Sequence, residues 1–94
     1  MSYELSFKEE ALKEWRKLDS GIKESFKKKL SERIQEPRIE SSRLNKMADC
    51  YKIKLRGVGY RLVYQVRDKE LVVIVIAVGK RDKNLVYKIA GNRL

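Results

Sequence analysis

Apolar and polar side chains alternate along Tyr3-Glu4-Leu5-Ser6-Phe7, the period of a short strand with one buried face. The period then changes. Phe7, Ala11, Leu12, Trp15 and Leu18 fall at helical spacing, with Lys8, Lys13, Glu14, Arg16 and Lys17 mostly on the other side, and Ser6 and Glu9 stand at the spacing of a capping box. This predicts a first helix over about residues 7–18. Asp19-Ser20-Gly21 interrupts it and supplies a new N-cap, after which Ile22, Phe26, Leu30 and Ile34 recur every four residues until Pro37 stops the pattern. Two helices joined so tightly form an antiparallel hairpin.

Arg38 to Asp49 follows neither period and holds Ser41, Ser42 and Asn45, as a surface connection does. Three strand candidates come next, Cys50 to Arg56, Tyr60 to Val66 and Leu71 to Val78, separated by Gly57-Val58-Gly59 and by Arg67-Asp68-Lys69-Glu70. They form an antiparallel meander. The last is apolar on both faces, which predicts a central place in the sheet with the first strand beside it. Gly79 ends it, and Asp82 is the expected cap of a final helix holding Leu85, Val86, Tyr87, Ile89 and Ala90. The expected fold class is α+β: an antiparallel β-sheet packed against an N-terminal α-helical hairpin, with a short C-terminal helix, in one domain over residues 1–94.

In the meander, Tyr51, Ile53 and Leu55 point one way and Lys52, Lys54 and Arg56 the other. On the next strand Tyr60, Leu62, Tyr64 and Val66 share one face, opposite Arg61, Val63 and Gln65. For both apolar sets to pack on the same helices, paired residue numbers must sum to an odd value such as 115, which sets Lys54 directly opposite Arg61. Like charges facing each other across a strand pair destabilise by a few tenths to about 1 kcal/mol, so a sheet shaped by stability alone would avoid this. A solvated face with its lysines extended into water accounts for any one of these residues. The cluster points further, because Gly79-Lys80-Arg81 leads Arg81 to the edge of the same face and Tyr87 follows in the last helix.

Charge supports a polyanionic partner. The 23 Lys and Arg against 13 Asp and Glu give a formal +10, of which residues 1–42 carry +1 and residues 43–94 carry +9. Cys50 is the only cysteine and there is no histidine, so an internal disulfide is impossible and a zinc or haem site of the usual ligands is not expected. Cys50 reads as a small buried residue. Met1-Ser2-Tyr3-Glu4 lacks the basic lead and apolar core of a signal peptide, and the apolar run Leu71 to Val78 is too short to span a bilayer. A cytoplasmic chain with no membrane partner and no cofactor is expected.

The segments Ala11-Leu12-Lys13-Glu14-Trp15-Arg16-Lys17-Leu18, Asp49-Cys50-Tyr51-Lys52-Ile53-Lys54-Leu55-Arg56, Gly59-Tyr60-Arg61-Leu62-Val63-Tyr64-Gln65-Val66 and Val78-Gly79-Lys80-Arg81 resemble, in order and spacing, the RelE branch of the RelE/ParE toxin superfamily. The resemblance covers the whole chain as a single RelE-like toxin domain. It implies a type II toxin–antitoxin toxin that cleaves messenger RNA in the ribosomal A site and is held inactive by a RelB-like antitoxin. Operator DNA is a further expected ligand of the toxin–antitoxin complex. On this resemblance Lys52, Lys54, Arg61, Arg81 and Tyr87 occupy the positions associated with cleavage, and Arg43, Lys46, Arg56, Lys80 and Lys83 are candidate RNA or ribosome contacts. An arginine is also expected in the loop before the meander, where Asn45 stands between Arg43 and Lys46.

Without a histidine or a visible carboxylate cluster for magnesium, the simplest chemistry is attack by the RNA 2′-hydroxyl on its own adjacent phosphate. Arg61 and Arg81 suit neutralisation of the pentacovalent transition state. A lysine serves as base if like charges lower its pKa; at ~5 Å and an effective dielectric of about 20, one such charge costs roughly 3 kcal/mol. Lys52 or Lys54 is the base and the other a phosphate contact, while Tyr87 stacks on a base, orients the phosphate or packs the last helix on the sheet. The rival functions are a non-enzymatic nucleic-acid-binding module and a ParE-like toxin acting on a protein such as gyrase.

Overall fold

The computed structural model describes residues 2–80, 82 and 84–94. Strand β1 (Glu4–Phe7) leads into helices α1 (Glu9–Arg16) and α2 (Ser20–Arg33), then a 3-10 turn at Glu40–Ser42. Strands β2 (Cys50–Leu55), β3 (Tyr60–Arg67) and β4 (Val72–Lys80) follow, and helix α3 (Leu85–Arg93) comes last. The strands form one sheet in the order β1-β4-β3-β2, so β4 is interior, as its two apolar faces require. The three consecutive strands are antiparallel; β1 joins β4 in parallel, with Leu5 beside Val73 and Phe7 beside Val75. A parallel partner needs a crossover, and α1 with α2 supplies the start of it.

Strand β2 pairs with β3 in the expected register, from Cys50 beside Gln65 to Leu55 beside Tyr60. Arg56-Gly57-Val58-Gly59 closes this hairpin, with Gly59 at φ 70 and its N–H on the Leu55 carbonyl at 2.9 Å. Between β3 and β4 the register shifts at Val63/Tyr64, because Val63 lies beside Ala77 and Tyr64 beside Val75. Ile76 is therefore a bulge residue. It changes the phase of β4, so that Val73, Val75 and Val78 join one core while Ile76 and Ala77 both join the other.

One core lies under α1 and α2. Ala11, Ile22, Phe26 and Leu30 pack there on Tyr51, Ile53, Leu62, Tyr64 and Val66, and the Trp15 ring lies 6.1 Å from Phe26 and 5.2 Å from Phe7. Cys50, Val63, Ile76 and Ala77 face the other way and are covered by Val86 and Ala90 of α3, with Leu44 and Met47 of the 38–49 connection alongside. That connection is thus not purely surface. Cys50 is fully buried, which pushes its thiol up to about 11 and suits a packing role.

Local signals were overridden at both outer helices. Ser6 stays in β1 instead of capping α1, which begins after Lys8 with no side-chain cap, because the Lys8 N–H bonds to the Val75 carbonyl at 2.9 Å and continues the strand pairing. The predicted helix over 7–18 is shorter for the same reason. Asp19 does cap α2, accepting from the Ile22 N–H at 3.0 Å. The cap position of α3 is taken by Asn84 at φ 65, in place of the expected Asp82, whose backbone carbonyl accepts from the Leu85 N–H at 2.7 Å. No helix among the described residues is long and apolar enough to cross a membrane.

Tyr51 and Tyr64 are direct cross-strand partners with stacked rings 5.7 Å apart. The buried Tyr64 hydroxyl donates to the Pro37 carbonyl at 2.7 Å and accepts from Arg33 Nη1 at 2.8 Å, tying the end of α2 to the sheet. Tyr64→Phe leaves both partners short of a bond, so urea unfolding is expected to show a loss of about 1–2 kcal/mol with an unchanged slope.

Candidate functional site

Strand alternation places Lys52 and Lys54 on the α3 side of the sheet, with Arg56 just past the end of β2, and the β2–β3 register puts Arg61 directly beside Lys54. The chain thus has three cations around one exposed lysine: Lys52 and Arg56 two residues away along the strand and Arg61 across it. The Lys54 ammonium is held below the usual lysine range, first by the charge of Lys52, then by partial desolvation, then by Arg61 and Arg56. A shallow groove of about 200 Å³ runs beside Lys54 and Arg61, bordered by Arg56, Gly59 and Tyr60.

Helix α3 closes the other side of this face. The Arg61 guanidinium carbon lies 5.2 Å from the centre of the Tyr87 ring, and Arg61 Nη1 donates to Asn84 Oδ1 at 3.1 Å. Asn84 was not singled out in the sequence. Its signal was an Asn directly before the apolar residues of the last helix, since Asn enters the left-handed region more readily than other non-glycine residues. The face of the Tyr87 ring nearest Arg61 is occupied by the guanidinium, and the Tyr87 hydroxyl is buried without a hydrogen-bond partner among the described residues. In this arrangement Tyr87 orients Arg61 and packs on the sheet, and that ring face receives a base only if Arg61 moves away.

The structure therefore brings Lys52, Lys54, Arg61 and Tyr87 together and adds Asn84. Arg56 borders the Lys54 groove and also a second one that reaches Ser25 and Lys29 of α2, a lysine that helical periodicity alone gave no reason to connect with the sheet. Lys46 and Asn45 line a groove of about 530 Å³ with Asn84, Tyr87 and Lys88, next to the same face. Arg43 lies apart, bridged to Tyr51 and 3.7 Å from the Glu40 carboxylate. Lys80 pairs with Tyr60, whose side chain packs with the α1–α2 core, so Lys80 lies on that side of the sheet and not on the side of Lys54 and Arg61. Arg81 and Lys83 lie outside the described residues. Among the described residues no three His, Cys, Asp or Glu side chains gather as metal ligands. Chemically, such a cluster of cations suits an anionic partner such as a phosphate backbone.

Residues 5–85 match the family model described as the ParE toxin of type II toxin–antitoxin systems. The chain is 58% identical over 94 residues to the mRNA interferase toxin RelE of Escherichia coli K12, covering 100% of this chain and 99% of that one. Among solved structures, a free E. coli RelE carrying two arginine-to-alanine substitutions superposes with a TM-score of 0.92 at 57% identity, covering 100% and 99% of the two chains. The toxin of the intact E. coli RelBE toxin–antitoxin complex does so with a TM-score of 0.84 at 60% identity, covering 87% and 100%.

The charge arrangement around Lys54 can be tested without any ligand. Arg56→Gln removes one of the cations that depress it, so the Lys54 pKa is expected to move upward, toward the ordinary lysine value. NMR titration of the Lys54 side-chain nitrogen reads this, and an unchanged or lower pKa would contradict the electrostatic coupling.

Proposed function

The chain belongs to the RelE/ParE toxin superfamily and is of the RelE type, and on that premise we propose that it cleaves messenger RNA in the ribosomal A site by metal-independent attack of the RNA 2′-hydroxyl. It is a type II toxin and an mRNA interferase, as its relatives at 58% identity over the full chain are named. The observation that carries the chemistry is Lys54, paired with Arg61 and flanked by Lys52 and Arg56, with its pKa lowered by them.

In this mechanism neutral Lys54 takes the 2′-hydroxyl proton, the 2′-oxygen bonds to phosphorus, the bond from phosphorus to the 5′-oxygen breaks, and the departing 5′-oxygen takes a proton from water. The products are a 2′,3′-cyclic phosphate and a 5′-hydroxyl. Lys54 is favoured over Lys52 as base by its depressed pKa. Lys52 is then a phosphate contact, and Arg61, held by Asn84 and Tyr87, meets the charge that develops on the equatorial oxygens. Arg81 shares that role by its position in the RelE-like motif. Arg56 and Lys46 border the face as RNA or ribosome contacts, while Arg43, Lys80 and Lys83 retain that assignment only from the sequence.

The partner is an antitoxin of the RelB kind, as in the solved RelE–RelB complexes, and the +10 chain calls for an acidic contact surface on it. Operator DNA is the ligand proposed for the assembled complex. A ribosomal target places the toxin in the cytoplasm. Action on gyrase is not favoured, because the full-length relatives carry the mRNA interferase name.

A 2′-deoxy substitution at the cut site is expected to abolish cleavage of a ribosome-bound message, and end analysis of the unmodified product to find the cyclic phosphate. A 3′-hydroxyl end would refute the chemistry. The single-turnover rate should climb with pH until Lys54 is deprotonated, below the ordinary lysine range, and Arg56→Gln should move that profile to higher pH.

Arg81→Ala is expected to lower the single-turnover rate about 100-fold to 1,000-fold, roughly 3 to 4 kcal/mol, with stability changed by no more than about 0.5 kcal/mol. A folded variant cutting at the parental rate would leave Arg81 as an anchoring charge only.

A further inference from the structure

Strand β1 ends at Phe7, beside Val75, so the β1 side of β4 has no strand partner from Ile76 onward. Two helix side chains occupy that open edge. Glu14 Oε1 accepts from the Val78 N–H at 3.3 Å, and Arg93 Nη1 donates to the Ile76 carbonyl at 2.9 Å. The two are joined to each other as a fork, Arg93 Nη1 to Glu14 Oε1 at 2.8 Å and Nη2 to Oε2 at 3.0 Å, with side chains only 16% and 29% exposed.

We propose that the Glu14–Arg93 pair positions the cleavage face: by anchoring the far end of α3 to α1 and to the β4 edge, it sets where Asn84 and Tyr87 meet Arg61. This rests on the reading of Tyr87 and Arg61 as parts of the RNA site. Besides this pair, α3 is held by Val86 and Ala90, with Tyr87 and Ile89 packed beside them. It has nine residues, below the roughly 12–15 at which isolated helices become even marginally stable. It fully buries only Val86 and Ala90, and no side chain caps it: Asn84 stands there at φ 65 with its oxygen on Arg61 Nη1. A lone ammonium at position 93 would keep the charge but lose the planar fork that fixes direction. Arg93 lies six residues beyond Tyr87, about 9 Å along the helix, so loosening that end tilts the ring against Arg61.

The test uses the full-length toxin with programmed ribosomes. Arg93→Lys is expected to slow single-turnover cleavage about 10-fold to 100-fold, the scale of a 1 Å misplacement, while the Kd for the ribosome is unchanged. Glu14→Gln should act in the same direction, and stands in if the first variant does not fold. Combined with Tyr87→Ala, Arg93→Lys should add nothing to the loss that Tyr87→Ala causes alone, since both act through one contact. Fully additive losses, or parental cleavage by both clamp variants, would overturn the proposal. If Tyr87→Ala itself cuts at the parental rate, the reading of the site fails, and the clamp is judged by amide exchange. Exchange should then accelerate over 85–90 in Arg93→Lys with β3 and β4 unaltered, and unchanged α3 protection would refute it.

Discussion

A strand buried on both faces must satisfy two cores at once, and strict alternation allows this only if both call for apolar side chains in phase. In β4 they do not. The bulge at Ile76 resolves the conflict by letting Ile76 and Ala77 both face α3 while Val75 and Val78 still face α1 and α2. Its cost is local, because it interrupts the ladder beside the stretch of β4 that β1 does not reach. The free backbone groups there are the ones that Glu14 and Arg93 engage. The irregular strand, the open edge and the side chains that close it are one arrangement.

That arrangement determines what α3 covers. It lies over Val63, Ile76 and Ala77 and leaves the Lys52–Lys54–Arg61 end of the same face open, with Asn84 and Tyr87 at the border. The repulsion concentrated around Lys54 is then tolerable because the stability of β2 and β3 comes from the opposite face. There Tyr51, Ile53, Leu62 and Tyr64 are almost fully buried, and Arg33 and Pro37 hold the Tyr64 hydroxyl. Binding chemistry and core packing use alternate residues of the same two strands.

The sequence made this division legible where a period of two met a one-sided core. The β2–β3 register followed from requiring Tyr51, Ile53, Leu62 and Tyr64 to share a face, and with it came Lys54 beside Arg61. The interior place of β4 followed from its unbroken apolar run. What failed were local signals that depended on remote partners: Ser6 matched a capping box, yet β1 pairing with β4 continues past it. The parallel sense of that pairing, the bulge, and the grip of Asn84 on Arg61 have no mark in any short window, since each is decided by contacts between segments far apart. Arg61 was placed by the register and Tyr87 by its position after Arg81, with cleavage roles added by resemblance to RelE-like toxins, whereas their mutual contact is a property of the folded chain.

The two halves of the Glu14–Arg93 fork are separated by 79 positions. Translation delivers a chain from its N-terminus, at about 5–20 residues per second, so α1 and its carboxylate emerge well before the guanidinium that completes the pair exists. Until then Glu14 stands without the partner that completes the fork. The pair therefore closes across a sheet whose four strands have all been synthesised before it, which makes it a late, long-range contact in the order of folding.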